Sequence, residues 1–120
     1  MARVLLAEDD AVMLDMVRRA LQSDGHHVVA AQDGQDALDA ASATGAAFDV
    51  LLTDIEMPGL NGLALAAKAV ALLPKLRVVL MTAYAGGVNV PDPLQPHIAR
   101  TLTKPLALDL VRAAVRDAAV

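Results

Sequence analysis

Arg3-Val4-Leu5-Leu6-Ala7-Glu8-Asp9-Asp10 runs four apolar residues straight into three carboxylates. An unbroken apolar run, with no alternation, suits a strand covered on both faces by helices. Three further runs repeat the pattern. Val50-Leu51-Leu52-Thr53 leads into Asp54, Arg77-Val78-Val79-Leu80-Met81 into Thr82, and Ile98-Ala99-Arg100-Thr101-Leu102-Thr103 into Lys104-Pro105. In an open parallel sheet the C-terminal strand ends share one edge, where ligands bind. Stacked on such a sheet, these ends would bring several carboxylates, one hydroxyl and one ammonium into one small site. Such a set suits a carboxylate that is phosphorylated with the help of a divalent cation.

Between these runs the chain alternates strand and helix. Asp10 can cap a helix over 11–23, with Met13, Met16, Val17, Ala20 and Leu21 on one face and Gly25 as its stop. His27 to Ala31 reads as a second strand, Asp33-Gly34 as a turn, and 35–44 as an Ala-rich helix ending at Gly45. Residues 49–53 are the third strand. A helix over 62–73 follows a loop shaped by Pro58, Gly59 and Gly62, and Pro74 stops it. Residues 77–81 are the fourth strand. Pro91, Pro93 and Pro96 then forbid a full helix in 85–97. The expectation there is a long loop with at most one short helix, started by Pro93. Residues 98–103 are the fifth strand and 106–118 the last helix, with Val111, Ala114, Val115 and Ala118 on the core. Short connections and this alternation indicate an α/β, doubly wound, five-stranded parallel sheet flanked by helices in three layers.

Composition narrows the function. The 120 residues fit one domain, and 56% are hydrophobic, enough for a real core. That apolar content is mainly Ala, Val and Leu. Phe48 and Tyr84 are the aromatics, so helices can pack closely on the sheet. The net charge of −4, with no basic run, disfavours nucleic acid. The lack of cysteine excludes disulfides and thiolate metal sites. No apolar run reaches the roughly 18 residues of a membrane span, and no leader pattern precedes the first strand.

The first strand–helix loop decides between ligands. A nucleotide binder places glycines there, so that backbone N–H groups approach phosphate. Glu8-Asp9-Asp10 offers carboxylates instead, which repel phosphate and attract a hard cation. Acids also favour helix starts through the helix dipole, which accounts for Asp10 but poorly for the whole cluster. Asp54 beside Asp9 would suffer a raised pKa without a counter-charge. A cation and Lys104 would relieve it and leave Asp54 ready to attack phosphorus. Thr82 can donate its hydroxyl to a phosphate oxygen. Pro105 makes Lys104–Pro105 a candidate cis bond, which would aim the ammonium back over the sheet edge. His26, His27 and His97 lack metal-ligand spacing and read as surface or strand-end residues.

As a set, these stretches resemble bacterial response-regulator receiver domains of the CheY-like, flavodoxin-like fold, with strand order 2-1-3-4-5. The resemblance covers the whole chain, as a single receiver domain over 1–120 with no output domain. It rests on Val4 to Asp10, on Leu51-Leu52-Thr53-Asp54-Ile55-Glu56-Met57-Pro58-Gly59-Leu60-Asn61-Gly62, on Met81-Thr82-Ala83 and on Lys104-Pro105. It implies that Asp54 accepts a phosphoryl group from a histidine kinase or histidine phosphotransfer protein. Glu8, Asp9, Asp54 and the backbone carbonyl of Glu56 would hold Mg²⁺, for which Mn²⁺ or Ca²⁺ could substitute. Thr82 and Lys104 would bind the phosphate. It further implies a bacterial cytoplasmic signalling protein, a monomer or weak dimer, that catalyses only its own phosphorylation and dephosphorylation.

Three departures from the family pattern stand out. Glu8 replaces a frequent Asp. Thr101 stands where the family carries a switch aromatic, which leaves Tyr84 to read out or shield the phosphoryl group. The fourth helix is proline-broken. The same combination resembles the CpdR-type receivers of alphaproteobacteria. That branch implies an adaptor for ClpX of the ClpXP protease, active unphosphorylated, with its surface near Tyr84 and 85–97. Three other readings stay open. The chain could be a relay intermediate or phosphate sink, an interaction module that is never phosphorylated, or a small phosphatase using Asp54 as nucleophile and Glu56 as acid.

Overall fold

The apolar runs pair in parallel with His27–Ala31 into one five-stranded sheet of order β2-β1-β3-β4-β5. In this computed structural model, which describes residues 1–84 and 86–120, the strands are β1 Arg3–Ala7, β2 His27–Ala31, β3 Val50–Asp54, β4 Arg77–Thr82 and β5 Ile98–Thr103. The helices are α1 Ala11–Ser23, α2 Gly34–Ser42, α3 Gly62–Leu72 and α4 Leu108–Ala118. The doubly wound α/β architecture expected from the sequence is the one observed.

Alternate strand residues feed two separate cores. Val4, Leu6, Val50, Leu52, Val79 and Met81 meet α1 and α4 on one face. Leu5, Leu51, Val78 and Leu80 meet α2 and α3 on the other. Each fully buried Leu contributes about 1.5–3 kcal/mol relative to exposure. The facing helices bring small residues, Ala37 and Ala41 of α2 and Ala66 and Ala69 of α3, all buried. A chain nearly free of aromatics therefore fills its core by close approach.

Several boundaries differ from expectation. The buried stripe of α1 is Leu14, Val17, Ala20 and Leu21. Met13 packs at the margin of the core, and Met16 is exposed. Met16 lies two residues, about 200°, round the helix from Leu14, which takes it off the stripe. Asp33-Gly34 is a helix start rather than a free turn, because the Asp33 side chain accepts from the Asp36 amide at 2.7 Å. The helix it starts ends at Ser42, short of Gly45. The last helix begins at Leu108 rather than 106.

Residues 83–97 form no α-helix among the described residues, as the prolines require. The one short helix is a 3₁₀ turn at Gln95–His97, beyond Pro93. Pro96 falls in its first turn, where a missing N–H leaves no bond unmade. Pro93 lies in the preceding turn, where the Pro91 carbonyl accepts from Leu94 N at 2.9 Å and Gln95 N at 3.2 Å. Leu94 is 2% exposed and plugs the second core where a helix would otherwise lie.

Candidate functional site

Parallel register puts the strand ends side by side. Ala7 pairs with Thr53, Asp54 with Met81, and Thr82 with Thr103. Glu8 follows β1, Asp54 ends β3, Thr82 ends β4 and Lys104 follows β5. Glu8, Asp54 and Thr82 are buried, an unusual set of polar side chains for a core edge. Asp10 is committed elsewhere, capping α1 by accepting from Val12 N at 2.9 Å and Met13 N at 3.2 Å.

The expected ion pair forms and gains a second partner. Lys104 Nζ donates to Asp54 Oδ2 and to Glu8 Oε1, each at 3.0 Å. The Lys104–Pro105 bond is cis, as expected from Pro105. Glu8 Oε2 accepts from the Asp10 amide at 3.1 Å. One carboxylate oxygen from each of Glu8, Asp9 and Asp54 lies within 4.8 Å of the others. Asp54 Oδ1 is buried with no hydrogen-bond partner. Three converging carboxylates fit a hard divalent cation. The histidines take no part in this cluster.

Burial sets the electrostatics. It pushes Glu8 from 4.5 up to about 7, against the Asp10 amide and Lys104, which pull it down. Burial likewise raises Asp54, with Lys104 opposing. Burial works to lower the Lys104 ammonium, but its bonds to Glu8 and Asp54 outweigh that and hold it above its ordinary value. Without a cation, folded Glu8 therefore keeps a proton that the unfolded chain has released. Between pH 4.5 and about 7 the native state binds more protons, so stability falls as pH rises through that window. Asp54 adds to the same trend, while Lys104 titrates well above it. A divalent cation replaces the proton, so its stabilising effect grows over the same interval. Thermal melts at about pH 5 and about pH 8, with and without cation, check this; a cation effect independent of pH would contradict it.

The sequence offers the Glu56 carbonyl to a cation and, for a phosphatase, its side chain as an acid; the side chain takes a further role. Glu56 Oε2 and Oε1 accept from Thr82 Oγ1 at 2.9 and 3.2 Å, and Oε1 accepts from the Ala83 amide at 2.9 Å. Only the sheet order supplies the signal: with β3 beside β4, a Glu just past one strand end faces a Thr at the neighbouring end. Both carboxylate oxygens are spent on these donors, which weighs against Glu56 as a leaving-group acid. Tyr84 contributes its backbone N–H, which donates to Thr82 Oγ1 at 3.1 Å, while its side chain is 64% exposed. Thr101 pairs in register with Leu80 and is exposed, apart from the acidic cluster.

Residues 4–116 match the family described as the response regulator receiver domain. The response regulator receiver protein CpdR of Brucella abortus is 38% identical over 112 residues, covering 92% of each chain. The response regulator protein FleR of Pseudomonas aeruginosa is 33% identical over 92% of this chain, which spans 24% of FleR. Among solved structures, the receiver domain of the hybrid histidine kinase CckA superposes with a TM-score of 0.82 at 27% identity, over 98% of this chain and 99% of that one. The response regulator TrrA of Thermotoga maritima, solved with Mg²⁺ and BeF, gives 0.82 at 24% identity, over 98% and 99%, and supports the fold. No helix among the described residues is long and apolar enough to cross a membrane.

Proposed function

Because the chain belongs to the response regulator receiver domain family, we propose that Asp54 accepts a phosphoryl group from a phosphohistidine donor and that this modification switches a protein-interaction surface. The observation that carries the reading is the state of Asp54. One oxygen is held by Lys104, and the other is buried without a partner. Oδ1 is the nucleophile. As it bonds to phosphorus, the P–N bond to the donor imidazole breaks and its electron pair returns to the ring nitrogen, which takes up a proton. Lys104 keeps Oδ2 oriented and then meets a phosphoryl oxygen. Glu8, Asp9, Asp54 and the Glu56 carbonyl would hold Mg²⁺, which would supply neutralising charge for the phosphoryl oxygens. Water attack on phosphorus later breaks the Asp54–phosphate bond and restores the carboxylate. The protein acts on no other substrate. Transfer of label from a phosphohistidine protein, lost on chelation of Mg²⁺, tests the reading.

The donor is a histidine kinase or phosphotransfer protein, met in the cytoplasm of a bacterium. Val12 and Met16, four residues apart on α1, are 70% and 45% exposed next to the acidic loop and offer it an apolar contact. For output, likeness to CpdR over 92% of both chains supports an adaptor that delivers proteins to ClpXP while unphosphorylated. The surface is Tyr84 with the segment that replaces the fourth helix. Immobilised Asp54→Ala is expected to retain ClpX with and without beryllofluoride, whereas wild type releases it when beryllofluoride and Mg²⁺ are added. Tyr84→Ala is expected to weaken capture at least several-fold, since exposed aromatics are frequent anchors. Equal capture by every form would remove the adaptor reading and leave a phosphate sink or relay intermediate.

A further inference from the structure

Glu56 follows Asp54 by two residues, yet its carboxylate reaches across to the end of β4. It receives the Thr82 hydroxyl, at 2.9 and 3.2 Å from its two oxygens, and the Ala83 amide at 2.9 Å. A hydroxyl has one proton to give, and that of Thr82 is committed to Glu56. The same hydroxyl also accepts the Tyr84 N–H at 3.1 Å. Thr82 is 1% exposed, so water is a poor substitute partner. Two donors at the end of β4, the Thr82 hydroxyl and the Ala83 amide, therefore already hold an anion supplied by this chain.

Two convergent donors on one anionic group are also what phosphoryl oxygens require. Resting on the phosphorylation reading above, we propose that the Glu56 carboxylate is a built-in stand-in for the phosphoryl group, a positioning residue that holds the Thr82 hydroxyl and Ala83 amide in place until a phosphoryl group on Asp54 displaces it. Glu56 is half-buried, so its flexible side chain has solvent to swing into. Its charge and its hold on the donors both oppose the incoming group. Glu56 thus sets how strongly the site must be driven before β4 changes partners.

The experiment uses the full chain, Mg²⁺ and beryllofluoride, with the Ala83 amide followed by NMR. Glu56→Ala keeps the backbone carbonyl and removes the competitor. It is expected to bind beryllofluoride about 10-fold more tightly than wild type, as loss of a charge-assisted bond implies. Glu56→Gln retains one acceptor and falls between. Without ligand, the Ala83 amide of Glu56→Ala shifts away from its wild-type position, and at saturation the two coincide. In a Thr82→Ala background the gain from removing Glu56 shrinks, because one of the two contested donors is gone. Equal or weaker binding by Glu56→Ala, with wild type still binding, overturns the stand-in and leaves phosphorylation intact. Failure of wild type itself to bind beryllofluoride overturns the phosphorylation reading, and the stand-in with it.

Discussion

Asp54→Asn is expected to take up no label from a phosphohistidine donor above background, while folding as wild type does. The amide nitrogen's lone pair is delocalised, so the variant has no nucleophile at the buried position where Asp54 Oδ1 lies without a partner. It also lacks the charge that pairs with Lys104 at 3.0 Å. Asn fills the same space, so the packing of β3 between two cores is preserved. Removing a buried negative charge beside Glu8 and Asp9 relieves repulsion. The cation-free variant is therefore expected to be as stable as wild type, or more stable by about 1 kcal/mol. Phosphotransfer assays beside urea titrations separate the two effects. Labelling at the wild-type rate would show that the phosphoryl group goes elsewhere.

Gly62→Ala is expected to damage the fold itself. Gly62 opens α3, donating its amide to the Ile55 carbonyl at 2.9 Å. A β-carbon there would stand 2.1 Å from the Asp54 carbonyl oxygen and 2.8 Å from Ile55 Cα. These are backbone atoms, so no side chain can rotate away. Either α3 lifts from the sheet or the end of β3 moves, and with it Asp54. We expect a loss of about 3 kcal/mol or more, at the upper end for overpacking, seen as a lower urea midpoint. Weakened cation binding would accompany it, because Asp54 belongs to the acidic cluster. An unchanged midpoint would mean that the two backbones are not so close.

The contrast between these positions shows what the sequence conveyed. Strands covered on both faces write themselves as unbroken apolar runs, so the residues that end them were legible, and Glu8, Asp9, Asp54 and Lys104 do meet. Three prolines announced that no full helix runs through 85–97, and among the described residues only the 3₁₀ turn at Gln95–His97 forms there. They could not announce Leu94 as the plug, because burial of one residue in an aperiodic segment leaves no pattern. Met16 was misplaced because a helix stripe shifts its phase with a change of one residue, and Leu14 took the inward position. The reach of Glu56 to Thr82 depends on which strands are neighbours and in what register, Asp54 against Met81. Local sequence carries no record of that pairing until the sheet order is known.

Leu94 also bears on how unevenly stability is spread over the domain. Among the described residues of 83–97 it alone is buried, while Val88, Val90 and His97 are half-covered and the rest face water. Withdrawing Leu94, with the partial cover of Val88 and Val90 and the Arg77–Pro96 bond, gives up less than separating a strand or helix from the sheet. Amide hydrogens there should exchange with solvent well before those of β1, β3 and β4. The described residues of this segment can thus come away while the sheet, the two cores and the acidic cluster stay assembled.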